Sequence, residues 1–423
     1  MRYIQNYDSL ARSAERRAAL DIAEAGYASI DTEKVVARSI RLDGEILHIN
    51  GNQFDLAKYK SIKMIGFGKA SAVAAAAFEE VLGARIQEGL IISNTETSCQ
   101  YVDSVLGTHP RPSFANFEAS KRIVEIAESA TEDDLVIVIV SGGGSALLCW
   151  PESEYRQGEK LYDSFLKVGG TIDELNIVRK NISGLKGGGL AKILYPATVV
   201  GVLFSDVPGD DCSIIASGPL CKVSSSIEDA KKIIDKYQLG DFELQENPQE
   251  DKYFEKITKI FLINNQAGLE GMKKKAEELG LNVALISEPL YLFPNKVVEL
   301  LQTHTQEHAI ALAGGETKVV VSGTEGKGGR NQLLSLVAAQ TLKPGQVFLS
   351  LASDGTDNSD SAAAIADSET MARALVAGLN AQESIDRCDA YTFFETLDDL
   401  LFTGPTKSNV SDLIFLITFK NDQ

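Results

Sequence analysis

The chain of 423 residues is short of several things that would fix its class at once. No stretch approaches 18 uninterrupted apolar residues, which argues against a membrane span. The opening segment, MRYIQNYDSLARSAERRAALDIAEAG, mixes charges with Leu and Ala at helical spacing and lacks the apolar core of a signal peptide. Cysteine is scarce: Cys99, Cys149, Cys212, Cys221 and Cys388 are odd in number and contain no C-x-x-C. They read as free thiols in a reducing compartment, so the protein is expected to be cytoplasmic. Positive charge is also scarce. The 41 Lys and Arg against 59 Asp and Glu leave a net −18, which argues against nucleic-acid binding. A site for an anionic ligand in such a chain must gather cations and backbone N–H groups in one cleft, or use metal ions. There is no internal repeat, low-complexity tract or charge block.

What the sequence has is alternation. Strands are expected at 62–67, 89–93, 104–108, 134–140, 198–204, 259–264, 282–287, 309–314, 317–323, 346–353 and 412–419. Helical patterns fill 69–82, 115–129, 158–169, 227–237, 265–279, 293–303, 330–341 and 368–378. Several strand runs are continuous Val, Ile and Leu, as in parallel strands covered on both faces. The fold class is α/β, doubly wound. The length asks for at least two domains. The polar stretch over 240–258 suggests a boundary, giving domains 1–245 and 255–423.

In such sheets ligands sit off the carboxyl ends of strands, so the loops there carry the candidates. Gly66-Phe67-Gly68-Lys69-Ala70-Ser71 opens a helix with glycines and a cation, but matches neither G-x-G-x-x-G nor a Walker loop. Ser141-Gly142-Gly143-Gly144-Ser145 follows the most apolar strand and suits an anion-cradling nest. Leu147 stands where a hydrolase elbow needs Gly, which argues against Ser145 as a nucleophile. Asn176–Ala191 holds Arg179, Lys180 and Lys186 with Gly187 and Gly188. If one helix continues, Arg179 and Lys186 share a face. Asp206 and Asp211, and then Asp354, stand at strand ends and suit Mg²⁺. Gly323–Gln332 brings Arg330 and Asn331 to a helix start, where Arg330 can hold an anion bidentately. His304-Thr305-Gln306-Glu307-His308 fits H-x-x-E-H, but the helix is expected to end inside it, which sets zinc chemistry aside.

Taken in order, GFGKAS, HPRPS, VSGGGSALL, NIVRKNISGLKGGGLA, FSDVPGDDCSIIASGPL, LAGGETKVVVSGTEGKGGRNQ, ASDGTD and TGPTKSNVSDLI resemble the glycerate 2-kinase family, whose C-terminal part is the MOFRL domain. The resemblance implies a larger Rossmann-like N-terminal domain and a smaller C-terminal one, MOFRL-like over about 309–416, with the active site in the cleft. It implies transfer of phosphoryl from ATP to the 2-hydroxyl of D-glycerate with Mg²⁺, and it allows a homodimer. Lys69 and Arg330 are its catalytic cations by the same likeness. Gly66, Gly68, Ser141–Ser145, Lys186–Gly188 and Asn331 would hold nucleotide and phosphate. Asp206 and Asp354 would hold metal or take the hydroxyl proton, and Arg179 and Asp211 would hold the substrate. The chain departs from the family pattern at Ser113, Asn181, Gly189 and Leu333, which bears on the acceptor more than on the reaction class. A hydroxypyruvate reductase is the alternative. It needs an acidic ribose ligand about 20 residues after GFGKAS, where Glu88 stands alone. A nucleotide-binding relative without catalysis is the third reading.

Overall fold

Six apolar runs in the first part of the chain assemble into one parallel sheet: β1 Ser61–Phe67, β2 Ile86–Ser93, β3 Asp103–Leu106, β4 Asp134–Val140, β5 Thr198–Phe204 and β6 Ile257–Ile263. The computed structural model describes residues 2–207, 209–288, 290–319 and 326–420. The strand order is β3-β2-β1-β4-β5-β6, with every pair parallel, which is the doubly wound order. All seven residues of β4 are buried, which is why its sequence shows no alternation. Helices Ser71–Leu82 and Phe114–Glu128 cover the sheet, and Ile65, Phe67, Val136, Val138, Ile123 and Ala127 share its core. A small antiparallel meander, 40–55, accompanies this unit.

The chain divides into two compact units, 32–263 and 1–31 with 264–423. This departs from the expected domains in two ways. The polar stretch over 240–258 does not end the first unit, because β6 follows it and pairs with β5. The opening residues belong to the second unit. Helix Ala14–Ile30 packs on helix Asn265–Glu278 closely enough that a β-carbon on Gly271 would meet Ser29 Oγ at 1.9 Å. Arg16, 2% exposed, anchors that helix by donating to Asp399 at 2.7 Å and pairing with Asp367.

The second unit holds β7 Asn282–Leu285, β8 Ala309–Gly315, β9 Gln346–Ala352, β10 Ala363–Asp367, β11 Leu400–Leu401 and β12 Asp412–Thr418. Their order is β7-β8-β12-β9-β10-β11, and only β7 and β8 run parallel. The continuous apolar runs of β9 and β12 therefore report burial on both faces and not strand direction. The strand expected at 317–323 is not formed over 317–319, and its remainder lies outside the described residues.

The cysteine reading needs correction. Cys212 and Cys221 form a disulfide, Cα atoms 6.2 Å apart, while Cys99 and Cys149 are free thiols.

Candidate active site

A doubly wound sheet opens its crevice where the strand order reverses, at the carboxyl ends of two neighbouring strands. Here those are β1 and β4, and the loops leaving them are laced together. Lys69 N–H donates to Gly142 O at 2.9 Å, and Ala70 N–H donates to Ser141 Oγ at 3.0 Å. Gly68 has φ +120°, and a β-carbon there would fall 2.2 Å from Ser141 Oγ, so the approach needs glycine. Gly143 is left-handed at φ +83°. The N–H groups of Gly142 and Gly143 donate to no acceptor among the described residues. Adjacent open amides of this kind form an anion-binding concavity.

Lys69 stands beside it, and Arg179 stands close to the flanking His109. Lys69 is exposed and has no ion pair among the described residues. Arg179, on helix Ile172–Asn181, is half-buried and makes one long contact, 3.4 Å to Asn176 Oδ1. Its neighbour Lys180 is buried and likewise unpaired among those residues. Burial pushes both pKa values down. Desolvated cations without partners are costly, and a bound anion removes the cost. His109 flanks the same loop: a β-carbon on Gly143 would lie 3.1 Å from its Cδ2 and 3.4 Å from Lys69 Cγ. Asp206 lies against Gly142, its carboxyl pushed up by burial and partly restored by its own backbone N–H and by Lys69.

The second unit has its own polar hollow, a cavity of about 420 Å³ whose lining includes Glu316, Arg330, Asp354, Asp357, Asn409 and Asp412. Arg330 begins helix Arg330–Ala339. Its Nε donates to Asp412 Oδ2 at 2.5 Å, and its Nη2 donates to Asp412 Oδ1 at 3.2 Å and Glu316 Oε1 at 3.1 Å. That fork fixes the guanidinium and leaves Nη1 without a partner among the described residues. The helix start is held by Asp357, which accepts from the N–H of Asn331 at 3.2 Å and of Gln332 at 2.8 Å. Burial pushes the Asp357 carboxyl up to about 6; the amides pull the other way and Asp412 adds to the rise. Asp354 lines the cavity with Oδ1 turned to Thr356 N–H at 3.0 Å.

Several expected site residues do other work. Gly66 is inside β1, packed at 2.9 Å against Ile91 as a β-carbon would measure it. The buried Ser141 hydroxyl ties loop to loop, and Ser145 Oγ bonds Ser217 Oγ at 2.9 Å. Gly144 N–H is taken by Ser141 O at 3.1 Å. The helix carrying Arg179 ends at Asn181, so Lys186 does not share its face. Lys186 is 2% exposed, pairs with Glu154 and donates to Leu148 O at 2.7 Å, which removes it from any phosphate. Gly187 and Gly188 spend their N–H groups on Ser217 O and Gly218 O at 2.9 and 2.8 Å, so this loop is not an open nest. Asn331, on the cavity wall, is 1% exposed with its amide on Asp357 and Asp412 and its oxygen accepting from Ser350, so it positions carboxylates. Asp211 is exposed and caps Ser213 N–H at 2.8 Å. Glu88 lies within β2 and pairs with Lys63 at 2.8 Å. His304 ends helix Pro294–His304, and no group of three His, Cys, Asp or Glu able to hold a metal occurs among the described residues. The sequence reading passed over His109, Asp357 and Asp412. Each sat inside a quoted motif, but nothing in one dimension showed what it faced.

Residues 18–247 match the family described as a domain of unknown function (DUF4147), and residues 309–412 match the MOFRL family. A D-glycerate 2-kinase of Thermotoga maritima is 34% identical over 83% of this chain and 89% of its own. The chain belongs to the glycerate 2-kinase family, and it is a kinase. Among its relatives in this glycerate 2-kinase group, an Agrobacterium vitis protein that carries a provisional hydroxypyruvate reductase name is 33% identical over 83% of this chain and 97% of its own. The crystal structure of a Thermotoga maritima glycerate kinase superposes with a TM-score of 0.83, 30% identity, and 95% and 99% coverage of the two chains.

Proposed function

We propose that this kinase transfers the terminal phosphoryl of ATP to the 2-hydroxyl of D-glycerate, giving 2-phosphoglycerate. The observation that carries the reading is the open amide pair of Gly142 and Gly143 with Lys69, which has no ion pair among the described residues, beside it and Arg179 close to the flanking His109, in a chain of net charge −18. Phosphoryl transfer asks a protein for charge neutralisation and alignment more than for covalent help. Lys69 and the two amides neutralise phosphoryl oxygens, and Arg179 takes the substrate carboxylate. Arg330, clamped by Asp412 and Glu316, offers Nη1 to a second anionic group. Among the described residues no group of three carboxylates or histidines makes a resident metal cage. Mg²⁺ that arrives with nucleotide needs only one or two carboxylates, and Asp354, on the cavity wall, would be a ligand for it. When bound, the ion supplies further charge neutralisation.

A coupled assay of ADP release tests the reading. Turnover with D-glycerate, ATP and Mg²⁺ is expected; a folded protein without turnover overturns it. The reductase reading is weaker, because the carboxylate nearest the ribose-binding spacing is engaged with Lys63 inside β2. Its signature, NADH or NADPH oxidation by hydroxypyruvate, is expected to be absent.

A further inference from the structure

His109 has no part in the scheme above, yet its surroundings are built for a ligand. It lines a hollow of about 490 Å³ with Thr108, Pro110, Arg111, Pro112 and Tyr162. Its Cδ2–Nε2 edge turns toward the Gly143 loop, where a β-carbon would lie 3.4 Å from Nε2. Neither ring nitrogen has a hydrogen-bond partner among the described residues. The charged groups facing it are few. Lys69 comes from the loop after β1, and Arg179 from helix Ile172–Asn181. Helix Glu152–Val168 brings Tyr162 and Asp163, and Asp163 is taken by Arg111 at 2.7 Å. Asp206 stands at Gly142. The residue is exposed as a whole, and partial burial of its ring, then Lys69 and Arg179, hold the imidazole pKa below its usual range.

We propose that His109 is a third anion-contacting residue of this site, donating from Nε2 to the transferred phosphoryl group, and that it favours the phosphomonoester over the hydroxy acid. The inference rests on the kinase reading and deepens it. With no anion beside it, burial and then two permanent cations disfavour the charged imidazole. A singly charged hydroxy acid offsets one of them. A phosphomonoester brings a dianion as well as the carboxylate, offsets both, and leaves room for a third positive charge. The proton comes from solvent, so product binding is linked to proton uptake at His109.

Calorimetry with 2-phosphoglycerate and with D-glycerate, near pH 7 in two buffers of different ionisation heat, measures that linkage. Wild type is expected to take up a fraction of a proton with the phosphomonoester beyond any taken up with glycerate. His109→Gln is expected to lose that uptake and to bind the phosphomonoester about tenfold more weakly. Its KM for D-glycerate is expected to move less. Equal proton uptake and affinity in wild type and His109→Gln overturn the proposal. So does the absence of uptake in wild type, a result that needs no variant. If His109→Gln matches wild type while Lys69→Met abolishes turnover, this inference fails and the kinase reading stands. If wild type neither binds 2-phosphoglycerate nor turns over D-glycerate, the kinase reading falls and this one falls with it.

Discussion

Two lysines, 69 and 186, both sit in glycine-rich loops that lead into a helix, and the fold sends them to opposite fates. Lys69 stays exposed beside open amides; Lys186 is buried against Glu154. Lys69→Met is expected to lower kcat by roughly 10²- to 10³-fold with little change in melting temperature, because it removes transition-state charge and no packing. Lys186→Ala is expected to behave in the reverse sense. It leaves the Glu154 carboxylate buried and uncompensated, a loss of about 3–5 kcal/mol in chemical denaturation. Burial already raises the Glu154 pKa, against the pull of Lys186. The contrast shows where sequence reading stops. Residue type and motif said that cations and glycines gather here. They did not say which N–H groups would be spent on neighbouring carbonyls, as those of Gly187 and Gly188 are on residues 217 and 218. Nor did they show that His109, some 34 residues before Gly143 in the chain, would stand over it.

At the scale of elements, the helices were legible because capping and periodicity are local. The helix Ile227–Tyr237 has the bounds the pattern gave, with Ser226 and Asp229 forming a reciprocal cap. Strand direction was not legible, since DLIFLIT in β12 is as continuous as DLVIVIV in β4, yet one is antiparallel to both neighbours and the other parallel. The start of helix Arg330–Ala339 carries a pH dependence of its own. Asp357 titrates near 3.9 when unfolded and at about 6 when folded, so the native state holds its proton more tightly. Its contribution is present below pH about 4 and is lost as pH rises to about 6, by roughly 3 kcal/mol. Asp357→Asn is expected to flatten that part of a stability-against-pH curve measured by urea unfolding. The Cys212–Cys221 bridge closes a short loop whose Ser217 and Gly218 carbonyls hold Gly187 and Gly188. Its reduction is expected to lower stability by about 2–3 kcal/mol, read as the difference in denaturation midpoint with and without a thiol reductant.

For the whole molecule, the division into residues 32–263 and residues 1–31 with 264–423 makes a test by dissection. The fragment 32–263 contains a complete six-stranded sheet and is expected to melt cooperatively by itself. The fragment 264–423 lacks the helix that covers Asn265–Glu278, and with it Arg16, which neutralises Asp399 and Asp367. It is expected to stay incompletely folded in circular dichroism until a peptide of residues 1–31 is supplied. The sequence concealed this arrangement because an amphipathic N-terminal helix reads the same whichever neighbour it covers.

That arrangement sets a timetable during synthesis. The helix Ala14–Ile30 leaves the ribosome before its partners from residue 264 onward exist. At about 5–20 residues per second, tens of seconds pass before residues 264 onward are translated. Meanwhile the stretch 32–263 can collapse on its own, leaving the nascent leading segment as a tether with an uncovered apolar stripe. Chaperone dependence should therefore concentrate on residues 1–31 of the growing polypeptide, even though they become part of the unit that is made last.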